Sequence, residues 1–106
     1  MLTAIEIDDL VNRIVARVDP QKVIIFGSYA KGTSTTTSDL DILVVRETNV
    51  PMARRADELM PILANMLIRV DVHFYTPEEL EVYGNEPLSF ISSVLRTGEI
   101  VFERLR

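Results

Sequence analysis

Apolar residues recur at helical spacing near the amino terminus of the chain. This repeat, which predicts an amphipathic helix, consists of Leu10, Val11, Ile14, Val15 and Val18. Thr3, followed three residues later by Glu6, predicts a capping box at the start of the helix, and Asp19-Pro20 predicts its end. The apolar face of the helix could cover a partner, but packing against a core is the more common role.

Two apolar runs on either side of a polar stretch predict strands. Residues 23–26 are apolar and mostly β-branched up to Gly27, which is typical of a buried strand. Residues 28–38 are polar and predict a loop, with one helical turn around residues 29–31. Residues 39–45 alternate acidic and apolar side chains and then become apolar throughout. They predict the second strand.

The middle of the chain predicts a helix followed by a third strand. An apolar stripe over residues 53–67 predicts a helix opened by Pro51. Pro61 lies inside this stripe, so we expect a kink or a break there. Residues 68–75 alternate in the manner of a strand.

The last part of the chain predicts two short helices and an edge strand. Thr76-Pro77 predicts the start of one helix. The stripe of the last helix consists of Leu88, Ile91, Val94 and Leu95. Gly98 is expected to end this helix, and residues 100–102 predict a fourth strand at the edge of the sheet. Because the sequence has no repeats, low-complexity tract or linker, residues 1–106 are expected to form one α/β domain.

Composition narrows the classes of partner and the compartment. The chain has 11 basic and 16 acidic residues, a net charge of −5, and no basic run. A long RNA or DNA substrate is therefore disfavoured, whereas a single nucleotide is not. The sequence has no cysteine, which excludes disulfides and cysteine metal sites. No apolar run reaches the ~18 residues of a membrane span, and the charged amino terminus does not fit a signal peptide. We expect a cytoplasmic protein.

Three carboxylates fall at predicted strand positions. Because side chains alternate along a strand, Asp39 and Asp41 share one face, with Cα atoms ~6.5–7 Å apart. Asp71 shares one face of the third strand with His73. Paired carboxylates repel each other unless a cation lies between them, and they suit Mg²⁺. If the second and third strands are neighbours, the three acids converge as a site for two metal ions ~3.5–4 Å apart requires.

Gly27-Ser28, at the end of the first strand, is a candidate phosphate-binding turn. Glycine allows the backbone to approach a ligand closely, and the Ser28 hydroxyl and nearby amides can bind phosphate oxygens. Gly27 and Gly32 have the outer spacing of a P-loop, but Thr33 stands where that motif requires lysine. Lys31 could still reach a phosphate as a mobile charge.

The spacing of these residues resembles a known signature. Gly27-Ser28, ten intervening residues and then Asp39-x-Asp41 resemble the Gly-Ser-x₁₀-Asp-x-Asp motif of the DNA-polymerase-β-like nucleotidyltransferase superfamily. The small size and the strand-borne Asp71 resemble its minimal nucleotidyltransferase branch, whose members commonly act as antitoxins beside HEPN-domain toxins. The resemblance implies an α/β nucleotidyltransferase fold, with a mixed sheet of three or four strands flanked by helices.

The same resemblance implies roles for the site residues. Gly27 and Ser28 would bind the triphosphate of ATP, while Asp39 and Asp41 would hold two Mg²⁺ ions. Asp71 would complete the second metal site and help to deprotonate the attacking hydroxyl. Family antitoxins resemble enzymes that transfer AMP to a tyrosine of the cognate toxin. The implied function is therefore that of an adenylylating antitoxin in a type VII toxin–antitoxin system.

Two other functions remain open at this stage. One is nucleotide transfer to a small molecule such as an aminoglycoside, or to RNA, although no separate acceptor domain is evident and the acidic balance disfavours RNA. The other is a non-catalytic module that masks the surface of a toxin. The intact set of acids favours an enzyme, and a partner is expected to supply the acceptor.

Several residues also have simpler interpretations. Asp39 could cap a turn, and the Ser28 hydroxyl could satisfy turn amides. His73 could contact substrate or serve as a structural histidine, and Tyr29 could stack on a base or line a partner surface. Arg54 and Arg55 could be solvated surface side chains, and a role in phosphate binding is a weaker alternative.

Overall fold

Four strands form one mixed sheet in the order β3-β2-β1-β4. The strands of this computed structural model, which describes residues 1–104, are β1 (Lys22–Phe26), β2 (Leu40–Val45), β3 (Val70–Tyr75) and β4 (Glu99–Glu103). β1 is antiparallel to both β2 and β4, whereas β2 and β3 are parallel. The mixed sheet and its fourth edge strand were both predicted from the sequence.

Local capping signals set the helix boundaries. The helices are α1 (Ala4–Val18), α2 (Ser28–Lys31), α3 (Met60–Leu63), α4 (Pro77–Gly84) and α5 (Phe90–Thr97). Thr3 and Glu6 form the predicted capping box, and Asp19 ends α1 in the left-handed conformation with its N–H donating to the Val15 carbonyl. Thr76 and Glu79 form a second capping box at the start of α4.

The sheet buries apolar side chains on both faces. α1 packs on one face, and the buried core there consists of Leu10, Val11, Ile14, Val18, Val23, Ile25, Leu40, Ile42, Val44, Leu59 and Phe74. α5 packs on the other face, where the buried residues are Ile24, Leu43, Val45, Ile91 and Val94. This division follows the two-residue alternation of the strands. The apolar stripe of α1 therefore faces the core.

The long helix predicted over residues 53–67 is wrong, although the break expected at Pro61 is present. The segment consists of two 3₁₀ turns, Met52–Arg54 and Asp57–Leu59, followed by the four-residue α3. Pro61 lies in the first turn of α3, where its missing N–H has no intrahelical partner to lose. A helix that ran through Pro61 would lose a hydrogen bond and clash with the preceding turn, so the helix restarts there.

The apolar stripe of the last helix is shorter than predicted. Leu88 is fully exposed and precedes α5, which begins after Ser89 with the Ser89 hydroxyl accepting from the Ser92 N–H. Ile91 and Val94 do lie in the core. The capping serine, rather than the apolar repeat, sets where α5 begins.

Within residues 1–104, no helix has both the length and the apolar character that a membrane crossing requires.

Candidate active site

Four charged side chains form a two-by-two block at one corner of the sheet. β2 and β3 are parallel with Asp41 directly opposite Asp71, and the pairing continues outward because the Leu40 N–H donates to the Arg69 carbonyl at 3.0 Å. Alternation then places Asp39, Asp41, Arg69 and Asp71 on the sheet face that carries α5. We call these four residues the charge block. The second and third strands are therefore neighbours, which was the condition for the three acids to converge.

Gly27 lies directly against the charge block. Phe26 is the register partner of Asp41 on β1, so the chain turns at Gly27 beside that carboxylate. Gly27 has φ +76° and ψ −151°, and a Cβ atom there would lie 2.5 Å from Oδ2 of Asp41. Both the backbone conformation and the contact therefore require glycine.

The short helix α2 begins immediately after this glycine. Ser28 is its first residue, and the Gly27 cap provides no side-chain hydrogen bond. The first N–H groups of a helix have no intrahelical acceptor, so these amides can bind an external anion. Lys31 ends α2 and is exposed, with its N–H donating to the Gly27 carbonyl at 3.1 Å. The candidate phosphate-binding residues thus adjoin the candidate metal ligands.

Arg69 contacts two of the three carboxylates. Its Nε atom lies 3.1 Å from Oδ1 of Asp71 and 4.0 Å from Oδ2 of Asp39. The side chain of Arg69 is 74% exposed, whereas those of Asp39 and Asp71 are 44% and 33% exposed. Arg69 therefore balances part of the negative charge from the solvent side of the block.

The central carboxylate, Asp41, remains poorly compensated. Burial raises the pKa of Asp41 above its ordinary value, and the negative charges of Asp71 and Asp39 raise this pKa further. His73 and Arg69 act in the opposite direction on the pKa of Asp41, but they do not cancel the rise. The block therefore contains more negative charge than its own cations neutralise.

The charge block has the donor chemistry of a Mg²⁺ site. Within residues 1–104, no group of three or more histidine, cysteine, aspartate or glutamate side chains is placed so that it could hold a metal ion. Mg²⁺ does not require such a group, since it commonly uses one or two carboxylates together with substrate phosphates and water. The uncompensated charge at Asp41 is what a divalent cation would neutralise. The carboxylates of Asp39, Asp41 and Asp71 therefore fit Mg²⁺ by their chemistry, and their roles as ligands stay predictions.

Other candidate residues lie in structural contacts. The Tyr29 hydroxyl accepts a hydrogen bond from the Leu2 N–H at 3.0 Å, which ties α2 to the amino terminus. Arg55 forms a paired contact with Glu79 at 2.6 Å and 3.1 Å, so it is neither a solvated side chain nor a free phosphate ligand. Arg54 is exposed beside Asp57 at 3.3 Å.

His73 belongs to an aromatic cluster next to the charge block. Its ring centroid lies 5.8 Å from that of Phe26 and 5.4 Å from that of Phe90. The Phe26 and Phe90 rings meet edge to face at 5.4 Å. The cluster packs β1 and β3 against the first residue of α5. This packing supports the interpretation of His73 as a structural histidine.

Arg69 is the site residue that the sequence reasoning missed. Arg69 and Asp71 are two residues apart on one strand, a spacing that places both side chains on the same face. This spacing is visible in the sequence, but it indicates a role for Arg69 only once the pairing of β2 with β3 places Arg69 opposite Asp39.

Comparison with known proteins identifies the family of this arrangement. The model of the family described as "Nucleotidyltransferase domain" matches residues 7–101, which include every residue of the charge block and the Gly27-Ser28 turn. The chain belongs to the nucleotidyltransferase domain family.

Two archaeal relatives resemble this nucleotidyltransferase domain in sequence. A Methanocaldococcus jannaschii protein named "Putative protein adenylyltransferase MJ0604" is 31% identical over 84 residues, which are 77% of this chain and 78% of that protein. A second, "Putative protein adenylyltransferase MJ1305" from the same organism, is 32% identical over 88 residues, 77% of this chain and 58% of that protein. The chain is thus similar to proteins named for AMP transfer onto protein.

Solved structures share the fold of this nucleotidyltransferase domain. A "putative nucleotidyltransferase" from Sulfolobus solfataricus superposes with a TM-score of 0.65 at 21% identity, covering 92% of this chain and 78% of that one. A chain from a structure described as a "toxin-antitoxin with AMP-PNP" gives a TM-score of 0.63 at 17% identity, covering 92% of this chain and 73% of that one. At these identities the likeness establishes the nucleotidyltransferase fold.

Proposed function

We propose that this nucleotidyltransferase transfers AMP from ATP to a hydroxyl group of a partner protein, with Mg²⁺ as its cofactor. The observation that carries the proposal is the position of Asp41, which lies against Gly27 on one side and opposite Asp71 on the other. A nucleotide phosphate at the Gly27-Ser28 turn would therefore lie beside all three carboxylates.

The triphosphate is expected to bind on the β1 side of the charge block. The amides at the start of α2 and the Ser28 hydroxyl would bind its terminal phosphates, and exposed Lys31 would add a positive charge. The absence of a Cβ atom at Gly27 leaves the Asp41 carboxylate unobstructed. The α-phosphate would then face Asp41 and Asp39.

The acceptor hydroxyl is expected on the β3 side. Asp71 would take its proton as the hydroxyl oxygen forms a bond to the α-phosphorus, and the bond from that phosphorus to the bridging oxygen would break to release pyrophosphate. Asp39, Asp41 and Asp71 would hold the cofactor. Mg²⁺ in such a site supplies positive charge to the attacking and leaving oxygens.

A protein acceptor is the version that the comparisons favour. Two relatives are named for protein adenylylation, and one structural neighbour is described as a toxin–antitoxin assembly with a nucleotide analogue. The side chains of Asp39 and Asp71 are partly exposed at an open corner of the sheet, where a macromolecule can reach them. We propose that the acceptor is a tyrosine of a cognate HEPN-domain toxin and that the chain acts as its cytoplasmic antitoxin.

Labelling with ATP tests this proposal directly. The chain would be incubated with ATP labelled at the α-phosphate, Mg²⁺ and the protein encoded by the neighbouring open reading frame. We expect label on the partner, located on a tyrosine by peptide mass spectrometry. Asp39→Asn/Asp41→Asn should abolish labelling, while the matched control Asp9→Asn/Asp57→Asn, which alters two exposed acids elsewhere, should retain it.

Other outcomes of the same experiment separate the rival functions. Neutralisation of the partner by the Asp39→Asn/Asp41→Asn protein, without labelling by either protein, would identify a masking module. Label that appears in RNA or in a small molecule, and not in protein, would overturn the proposed acceptor while keeping the nucleotidyltransferase chemistry.

A further inference from the structure

Arg69 occupies a position in the charge block that has no role in the mechanism above. It faces Asp39 across β2 and β3 and lies two residues before Asp71 on the same strand face. The block therefore contains three acids and one base. One guanidinium cannot neutralise three carboxylates, so the block keeps an excess of negative charge.

The contacts of Arg69 divide the block unequally. Nε lies 3.1 Å from Oδ1 of Asp71 and 4.0 Å from Oδ2 of Asp39. The guanidinium thus serves the two outer carboxylates and leaves the central one exposed to repulsion. These two outer carboxylates are two of the three predicted metal ligands.

A cation on Asp39 and Asp71 would compete with this guanidinium for the same oxygen atoms. The side chain of Arg69 is 74% exposed, so it can swing into solvent without leaving a cavity. Its backbone is fixed, since the Arg69 carbonyl accepts the hydrogen bond from the Leu40 N–H. Only the side chain must move for the carboxylates to become available.

We propose that Arg69 is a displaceable counter-ion, which stabilises the carboxylates when no metal is bound and competes with divalent cations for Asp39 and Asp71. The inference rests on the proposed function in taking these carboxylates as the metal site. It adds that the affinity of the site for metal is set partly by Arg69. An exposed ion pair is weak enough for a divalent ion to displace the arginine. It is still strong enough to lower the affinity of the carboxylates for that ion.

Metal binding to the nucleotide-free protein tests this inference without any measurement of activity. Mn²⁺, a paramagnetic substitute for Mg²⁺, would be titrated into the chain, and free Mn²⁺ would be measured by electron paramagnetic resonance at fixed ionic strength. Arg69→Ala should bind Mn²⁺ about two- to fivefold more tightly than the unmodified chain, as expected for removal of one exposed ion pair. Arg69→Lys, which keeps the charge, should remain close to the unmodified affinity.

Arg13→Ala is the matched control for loss of charge. Arg13 contacts Asp9 on α1 at 3.0 Å, and both side chains are 63% exposed, so its ion pair resembles that of Arg69 in distance and solvation. Its removal should leave Mn²⁺ affinity unchanged. An equal gain in Arg13→Ala and Arg69→Ala would mean that net charge alone acts, and it would overturn the inference.

The remaining outcomes are equally decisive. Unchanged or weaker Mn²⁺ binding by Arg69→Ala would overturn the inference, as would the absence of saturable binding in all four proteins. Failure of the labelling experiment would be a separate result. Tighter Mn²⁺ binding by Arg69→Ala alone would still support a metal site with a competing arginine, whatever the acceptor proves to be.

Discussion

Two arginines of this domain contact carboxylates in opposite ways. Arg55 is 10% exposed, binds both oxygens of Glu79 at 2.6 Å and 3.1 Å, and also donates to the carbonyls of Val50 and Phe74 at 2.8 Å and 3.2 Å. Arg69 is 74% exposed and reaches two carboxylates through one nitrogen atom. The guanidinium of Arg55 makes four hydrogen bonds, whereas that of Arg69 leaves most of its N–H groups to solvent.

The contacts of Arg55 with Glu79 stabilise the fold, whereas the contacts of Arg69 with Asp39 and Asp71 can be displaced by another cation. Glu79 is part of the capping box of α4, and its Oε1 also accepts from the Thr76 N–H at 2.9 Å. The hydrogen bond from Arg55 lowers the pKa of Glu79 below its ordinary value, so the charged form is favoured. At Asp41 the pKa moves upward, because burial and neighbouring acids disfavour the charged form. The charged form is thus favoured at Glu79, which stabilises the fold, and disfavoured at Asp41, which lies in the candidate site.

The largest expected effect comes from placing a side chain against the charge block. Gly27→Ala should reduce nucleotidyl transfer by about 100-fold or more, since its Cβ atom would meet Oδ2 of Asp41 at 2.5 Å and displace a charged group that acts on the transition state. Gly32→Ala is the control, because Gly32 also has positive φ (+73°) but a Cβ atom added there would meet nothing within 4 Å. Initial rates of AMP transfer should separate the two variants, and equal rates would refute the contact.

Removal of each arginine should distinguish the two pairs by stability. Arg55→Ala should lower the free energy of unfolding by about 2–3 kcal/mol, because it removes the hydrogen bonds of the guanidinium to Glu79 and to two carbonyls. Arg69→Ala should lower it by less than about 0.5 kcal/mol, as is usual for an exposed pair. Urea denaturation of the metal-free proteins measures both values. Similar losses in the two variants would remove the distinction drawn between them.

Replacement of an acid by its amide should change the free energy of unfolding in opposite directions at Glu79 and at Asp41. Glu79→Gln should destabilise the metal-free protein by about 1–2 kcal/mol through loss of charge-assisted hydrogen bonds. Asp41→Asn should stabilise it by roughly 0.5–1 kcal/mol at neutral pH, because it removes a like-charge pair across β2 and β3. Urea denaturation again measures both changes. A loss of stability in Asp41→Asn would show that its negative charge is already compensated.

Acid should weaken the structural pair. The pKa of Glu79 in the folded chain lies below the ordinary value of 4.5, so its contribution to stability is complete above pH 4.5 and is lost as the pH falls through the folded pKa. The urea midpoint of the unmodified chain should therefore fall more steeply below pH 4.5 than that of Glu79→Gln. Parallel profiles for the two proteins would contradict this assignment.

Local signals in the sequence predicted most of the elements. The capping box at Thr3, the helix start at Thr76 and the alternation of the strands depend on neighbours in the chain, and the structure has them as expected. The prediction of a helix over residues 53–67 was wrong because a periodic apolar stripe does not show which of its side chains the tertiary structure buries. Only Leu59 of that stretch is fully buried, and Leu67 is almost fully exposed. Tertiary packing therefore overrode the periodicity.

The candidate site shows the same division between sequence and structure. The Gly27-Ser28 turn and the acids at positions 39, 41 and 71 stand out in the sequence, because their residue types and spacing are unusual for apolar strands. Their resemblance to a nucleotidyltransferase motif correctly indicated the family to which the chain belongs. Their roles in metal and nucleotide binding remain predictions.

What the sequence by itself determined is the set of elements with strong local causes and the chemistry of the residues that follow β1 and enter β2 and β3. Only the tertiary structure decided that Asp71 lies opposite Asp41, that Gly27 must lack a side chain because Asp41 is there, and that Arg69 faces Asp39. The physical reason is strand register. The pairing of distant strands depends on how the whole sheet buries its apolar faces, and no short stretch of the chain specifies it.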